Sequence, residues 1–225
     1  MTRYAGKEEL EILDKATNYN GFVFEHLCKF LDSDKKVLDF GAGRGVFAKQ
    51  VAAKFKKPIC VEVDPELKVF LTKFNFEVFE SLDCFEDNSF DLIYSLNVLE
   101  HIDNDREILQ KMYQKLKVGG QLFLYVPAGP ILYSKFDKKV GHFRRYTWTE
   151  LESKIIESKL SIRKLEFADT LGFLFALIYK LTGGSEISSW SVFLYDKVFF
   201  PLGKYLDFIF KKFFGKNLLV MAEKE

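Results

Sequence analysis

Three glycines at alternate positions, Gly41, Gly43 and Gly45, follow the apolar run VLDF, and Asp39 stands two residues ahead of the first of them. Lacking Cβ atoms, Gly41 and Gly43 let the backbone turn tightly and approach a ligand, while Gly45 permits a following helix to pack closely. Nineteen residues beyond Gly43 is Glu62, in PICVEVD, whose carboxylate at the end of a second strand could take both hydroxyls of a ribose. Asp64 is the second choice. The pattern is that of a nucleotide cradle and disfavours a nicotinamide site: there the spacing is usually GxGxxG with no acid at the place of Asp39, and here the third glycine comes one residue early.

Side chains able to move protons are few. Of three histidines, His101 and His142 fall in segments that follow predicted strands, where an acceptor would sit. An imidazole titrates near pH ~6.5, so either could act as a general base; the alternative is that His101 hydrogen-bonds the next helix and His142 is a lid contact. In GHFRRYTWTEL, Arg144 or Arg145 could clamp a carboxylate or phosphate bidentately and Tyr146 could line the pocket. The plainer reading is a capped helix start whose arginines form ion pairs.

The elements that must position these residues can be read from periodicity. Phe22, Val23, Leu27, Phe30 and Leu31 share a stripe at helical spacing, which makes residues 1–35 a leading helical segment. From Lys36 onward short apolar runs alternate with amphipathic ones: KVLDF, PICVEV, FEVF, FDLIYSL and GQLFLYVPA are strands, and GVFAKQVAAKF, PELKVFLTKF and DNDREILQKMYQKL are helices. Such alternation predicts βαβ units and a doubly wound, mostly parallel sheet that binds ligands beyond the strand ends. A polar loop spans Pro130 to Tyr146. A helix capped by Thr147 and Glu150 follows, then a strand over Ser161 to Phe167, an aromatic helical insertion over residues 168–215 and a last strand, NLLVMA, in residues 216–225. No repeat or linker divides the chain, so one domain over 1–225 with its core at 36–167 is expected.

VLDFGAGRG resembles motif I of the class I S-adenosylmethionine-dependent methyltransferases. EDNSFDLIYSLNVLEHI is similar to the fourth-strand segment of the ubiquinone-type and related small-molecule (type 11/12-like) members, and KVGGQLFLYVPA to their PGG turn and fifth strand, with Val118 in the place of proline. The likeness covers roughly residues 18–167 and returns at FGKNLLVMAEK; the GHFRRY loop is similar to one shared by a bacterial subgroup. It implies the seven-stranded Rossmann-like fold and S-adenosylmethionine as cofactor. By position, Asp39, Gly41, Gly43 and Gly45 would hold the methionyl end, Glu62 the ribose, and a window from Glu80 through Ser81 and Leu82, with Asp83 also a candidate, the adenine. Asn97 would lie near the sulfonium. Asn97, Glu100 and His101 match a metal-binding ExxEH pattern of some O-methyltransferases at only two of three ligands, so no metal is expected.

Composition narrows the acceptor. With 33 Lys and Arg against 32 Asp and Glu, no global field recruits nucleic acid. The fourth strand ends in NVLE rather than the (D/N/S)PP(Y/F) of nucleic-acid N-methyltransferases, which favours oxygen or carbon as the methyl target. Cys28, Cys60 and Cys84 have neither disulfide nor metal spacing and read as core thiols of a cytoplasmic protein. No apolar run approaches the ~20 residues of a membrane span. The insertion, however, mixes many aromatics with lysines, as in YLDFIFKKFFGK, the makeup of a lid, a dimer interface or a segment resting on a membrane. A small or lipid-linked acceptor is therefore expected. The competing classes are a catalytically silent cofactor- or membrane-binding partner and an NAD-dependent dehydrogenase.

Overall fold

The structure, a computed structural model, describes residues 6–183 and 187–225. Seven strands form one sheet in the order β3-β2-β1-β4-β5-β7-β6. They are β1 (Val37–Phe40), β2 (Ile59–Val61), β3 (Val78–Phe79), β4 (Phe90–Leu96), β5 (Leu116–Pro127), β6 (Ser161–Ala168) and β7 (Asn217–Glu223). All pairings are parallel except those of β7, which runs antiparallel to both β5 and β6. Every residue of β1 is buried, because a central parallel strand is covered on both faces and so reads as a continuous apolar run.

The helices that cover the sheet come from the amphipathic stretches. On one face, Val23, Phe24 and Leu27 of α2 (Thr17–Cys28) and Val51 of α3 (Val46–Lys54) pack with Leu92, Tyr94, Phe123 and Tyr125. On the other, Leu109 and Met112 of α5 (Asp105–Lys115) and Leu151 and Ile155 of α7 (Trp148–Glu157) meet Ile93, Leu122 and Leu124. The leading segment also holds α1 (Lys7–Leu13), and α4 (Pro65–Lys73) links β2 to β3. Thr147 caps α7, accepting from the Glu150 amide at 3.2 Å as its spacing predicts.

Two segments depart from expectation. The stretch read as a polar loop contains a short helix, α6 (Lys135–Val140), closed by a capping box between Ser134 and Asp137 and ended by Gly141 at φ +86°. A six-residue helix carries too little periodicity to be seen. Of the cysteines, Cys60 is buried and Cys28 half-buried, but Cys84 is exposed on a 3-10 turn that leaves β3.

The insertion is α8 (Thr170–Leu181), α9 (Ser189–Leu194), a π-helical turn (Tyr195–Phe199) and α10 (Phe200–Phe210). Its place follows from strand direction. Since β5 and β6 both run antiparallel to β7, the exit of β6 at Ala168, the start of β7 at Asn217 and the exit of β5 at Pro127 lie side by side. Residues 169–183 and 187–216 therefore rise from the edge at which the parallel strands end. Two buried aspartates tie them down. Asp207 of α10 accepts the Asp169 and Thr170 amides at 3.1 and 2.7 Å at the start of α8, and Asp196 accepts the Asn18 and Tyr19 amides at 3.1 and 2.9 Å in the first turn of α2.

Removing the Asp207 carboxylate leaves two buried amides without acceptors, at about 1–3 kcal/mol each. Asp207→Ala is expected to lower chemical-denaturation stability by that amount while far-ultraviolet circular dichroism stays unchanged.

Candidate active site

The glycine loop is held from both sides. The Gly41 and Ala42 amides donate to the Val61 carbonyl at 2.9 and 3.1 Å, and the Gly43 amide donates to Glu62 Oε2 at 2.8 Å. Glu62 Oε1 accepts the Val63 and Asp64 amides, each at 2.9 Å. The three glycines have separate tasks. Gly43, at φ +54°, has nothing within 4 Å of where a Cβ would stand, so the loop there faces open space. A Cβ on Gly45, at φ +71°, would come within 2.7 Å of Leu71 Cδ2, which makes it the contact between α3 and α4. Val98, just beyond β4, lies over Gly41 and brings the end of that strand against the loop.

Asp39 is buried, and Tyr94 of β4 donates its hydroxyl to Asp39 Oδ2 at 2.9 Å. Burial pushes the carboxyl up to about 7, against the opposing pull of the Tyr94 hydroxyl. Asp64, the second choice for a ribose, begins the next helix. It caps α4, accepting the Glu66 and Leu67 amides at 2.9 and 3.3 Å, and pairs with Lys7 at 2.9 Å. Glu80, Ser81 and Leu82 follow β3. Glu80 is an exposed partner of Lys68, Ser81 donates to Asp83 at 2.9 Å, and Leu82 is part of the core. Asn97 is exposed at the end of β4 with φ +54°, a left-handed conformation that asparagine tolerates, and its amide donates to the Tyr125 carbonyl at 2.7 Å.

Beyond Asn97 the chain enters a turn that carries Glu100 and His101, and the β5–α7 connection brings His142 against them. The two imidazoles meet edge to face with centroids 4.6 Å apart. His142 Nδ1 bonds Asp137 Oδ1 at 2.8 Å, and its Nε2 lies 3.8 Å from Glu100 Oε1. Arg145 Nε donates to the same Asp137 oxygen at 2.8 Å. His142 and Arg145 together draw the Asp137 carboxyl down to about 2 despite its burial. Glu100 is the contrary case: fully buried, neither of its carboxylate oxygens reaches a hydrogen-bond partner, and desolvation lifts it to about 7. Burial, aided by His142, lowers His101 to about 4, so its ring is neutral at pH 7. Ligand atoms of Glu100, His101 and His142 all lie within 4.8 Å of one another, the one such group of three among the described residues.

Arg144, Arg145 and Tyr146, expected from their spacing to face an acceptor, are held by carboxylates of the chain itself. Arg144 bonds Asp105 Oδ2 at 3.0 Å and Asp103 at 2.8 and 3.1 Å, and Arg145 is buried on Asp137. Tyr146 is wholly buried, its hydroxyl donating to Asp105 Oδ2 at 2.8 Å beside Lys154. Carboxylates of the chain claim these donors, about 40 residues upstream for Arg144 and Tyr146 and eight upstream for Arg145. Asp137 and Tyr94 were not singled out by sequence, and Glu100 entered only through the incomplete metal pattern; the apolar run around Tyr94 and the loop reading around Asp137 concealed the other two.

A family profile described as a methyltransferase domain matches residues 16–166. The chain belongs to this methyltransferase family. No curated protein matches it in sequence. Among solved structures it is similar to a SAM-dependent methyltransferase from Archaeoglobus fulgidus (21% identity, 91% of this chain and 94% of that one, TM-score 0.62). A SAM-dependent methyltransferase from Thermotoga maritima gives 18% identity, 97% and 94% coverage and a TM-score of 0.65. Phosphoethanolamine N-methyltransferase 2 of Haemonchus contortus, solved with S-adenosyl-L-methionine, gives 20% identity, 92% and 52% coverage and a TM-score of 0.63. The fold is thus the class I methyltransferase fold, and the cofactor of this family is S-adenosylmethionine.

Glu100 makes the stability of the methyltransferase depend on pH. The unfolded chain releases this proton near 4.5 and the folded chain near 7, so between those values the folded state holds more protons and stability falls as pH rises. Glu100→Gln is expected to stabilise the protein by up to about 3 kcal/mol at pH 8 and by little at pH 5, read as the difference between the two denaturation curves at each pH.

Proposed function

We propose that this methyltransferase transfers a methyl group to an oxygen or carbon of a small or lipid-linked acceptor, with His142 as the general base. The observation that carries this reading is the Asp137–His142 pair: the 2.8 Å bond at Nδ1 turns Nε2 toward Glu100, in a segment that Val98 joins to the glycine loop. A base held at one nitrogen by a carboxylate can take a proton at the other, and here that nitrogen lies beside Glu100, so that an acceptor proton would arrive between the two. His101, held near 4, is a poor base at neutral pH and serves as the apolar wall of that imidazole.

The residues present fit the cofactor. Glu62, beside the open space over Gly43, would take the ribose hydroxyls; Glu80, Ser81 and Leu82 would flank the adenine; Gly41 and Gly45 shape the loop; Asn97 would lie on the methyl-donating side. Asp39 would receive the ammonium of the methionyl group, and it does so only when ionised. When bound, S-adenosylmethionine supplies a methyl carbon made electrophilic by its sulfonium. The protein's part is to align the acceptor, exclude water and accept its proton at His142 Nε2.

A second reading has its own support in the gathering of Glu100, His101 and His142, three donors that could share a divalent cation and polarise an acceptor hydroxyl. Second contacts on the imidazoles, Asp137 on His142 and the Gly141 carbonyl at 3.3 Å from His101 Nδ1, are what such ligands carry.

Calorimetric titration with S-adenosylmethionine, S-adenosylhomocysteine and NAD tests the cofactor assignment. Binding of the first two and not of NAD is expected; NAD binding alone would point to a dehydrogenase. Because Asp39 ionises near 7, affinity for S-adenosylmethionine should rise roughly tenfold from pH 6 to pH 8. Asp39→Asn should bind weakly at both. With an acceptor found among lipid-like phenols and acids, His142→Gln should lower kcat by about 100-fold or more at unchanged cofactor affinity. Activity lost in EDTA and restored by a divalent metal would replace the free base with the cation, and cofactor binding without turnover on any acceptor would favour a silent partner.

A further inference from the structure

The insertion that stands on the ligand edge exposes apolar side chains in ordered rows. Along α8, Leu174, Ile178 and Leu181 recur at steps of three and four, all exposed. From α9 through α10 a second row runs Trp190, Leu194, Val198, Leu202, Tyr205 and Ile209 at the same steps, with Trp190 70% and Tyr205 78% exposed. Phe208, 83% exposed, and Phe213, 72%, extend it. The Phe175 ring of α8 lies 4.7 Å from that of Phe199 and 5.5 Å from that of Tyr195, so that α8 packs beside the π-helical turn. A monomer rarely leaves so many neighbouring large apolar groups in water without a use for them.

The charge on this segment decides what covers it. The chain as a whole carries +1, but residues 170–216 hold six lysines, Lys180, Lys197, Lys204, Lys211, Lys212 and Lys216, and no arginine. Their acids are Asp196 and Asp207, both buried as helix caps, and Glu186, which lies outside the described residues. Lys197, Lys211 and Lys216 pair with Asp196, Glu166 and Asp169, whereas among the described residues no carboxylate pairs with Lys180, Lys204 or Lys212. Beside α8, Lys180 joins Lys135 and Lys138 around a cleft of about 320 Å³. The exposed face is thus apolar with a cationic fringe. A second copy meeting it across a two-fold axis would set lysines against lysines. An anionic lipid surface satisfies both components, with aromatic and aliphatic side chains in the acyl boundary and ammonium groups among the headgroups. No helix among the described residues is long and apolar enough to cross a bilayer, so the contact would be interfacial.

We propose that the α8–α10 face docks the protein on anionic bilayers, so that the mouth of the site opens onto the membrane and receives an amphiphilic acceptor laterally. The docking stands on the surface alone; the delivery of acceptor rests on the methyltransfer reading above.

Trp190 reports the contact directly. In a Trp148→Phe background it is the sole tryptophan, and vesicles of phosphatidylcholine with phosphatidylglycerol should shift its emission to the blue and sediment the protein, whereas phosphatidylcholine alone should do so weakly. High salt should weaken the binding. Phe208→Ser with Phe213→Ser, and separately Lys204→Glu with Lys212→Glu, should each reduce vesicle binding about tenfold or more, with melting temperature and S-adenosylmethionine affinity unchanged. Absence of binding to either vesicle overturns the proposal, as does binding that neither pair of substitutions weakens. A concentration-dependent dimer abolished by Phe208→Ser with Phe213→Ser would also overturn it, assigning the face to a second copy. These readouts need no turnover, so a failure to dock is distinguishable from a failure to methylate.

Discussion

Parallel strands must all leave a sheet at the same edge, and almost everything about this protein's chemistry follows from that constraint. Asp39 lies in β1 just before its last residue, Phe40, Glu62 follows β2, Glu80 to Leu82 follow β3, Asn97 to His101 follow β4, and Pro130 to Tyr146 follow β5. Residues far apart in the chain are brought together without any interaction having to recruit them. Local bonds then fix details within the shared edge. The most consequential is the Glu62 carboxylate, which accepts amides from the glycine loop and from its own strand's exit, so that the loop cannot shift without disturbing β2. The reversed β7 obeys the same geometry from the other direction, because a strand inserted antiparallel between β5 and β6 must begin where they end.

At that edge, carboxyl groups of one chemistry are driven to opposite states by their surroundings. Asp137 is buried but has His142 and Arg145 on it and is held near 2; Glu100, on the far side of the same imidazole, has no hydrogen-bond partner and is lifted to about 7. His142 therefore sits between a fixed negative charge that orients it and a carboxyl whose proton is labile near neutrality. Separation of neighbouring pKa values by environment is how a site assigns acid and base roles to similar groups. Asp39, near 7, is a second carboxyl poised near neutrality, beside the glycine loop. The desolvation that raises Asp39 and Glu100 costs stability whenever they ionise, and a positively charged ligand group brought to either would offset that cost.

The glycine loop was legible in the sequence because its signals are local: a strand, an acid, three glycines and a helix occupy one short stretch, and Glu62 lies one βα unit on. Strand and helix order was legible for the same reason. What the sequence concealed depends on partners distant along the chain. Arg144 and Arg145 carry the chemistry of an anion clamp, yet Asp105 and Asp103 lie about 40 residues upstream and reach Arg144 only once α5 packs beside α7. Asp137 and His142 are five residues apart, but their pairing needs the short α6 to turn His142 back. Nor could spacing show that Glu100 is sealed from water, since burial of a turn is decided by what closes over it.

The insertion shows how one set of bonds can shape both fold and surface. Asp196 and Asp207 point inward because the first amides of α2 and α8 need acceptors, and those caps join the insertion to the body. Turning the acids inward leaves lysine as the charge that the helices show to solvent. The apolar rows stay outside for a related reason: one side of the insertion already packs through Phe200 against Tyr19 and Phe22, and through Gly203 against Leu171, so the remaining side chains have no core left to enter. Exposed aromatics fringed by lysine are then a consequence of how the insertion is anchored, and moving a capping aspartate would alter the surface as surely as replacing a residue on it.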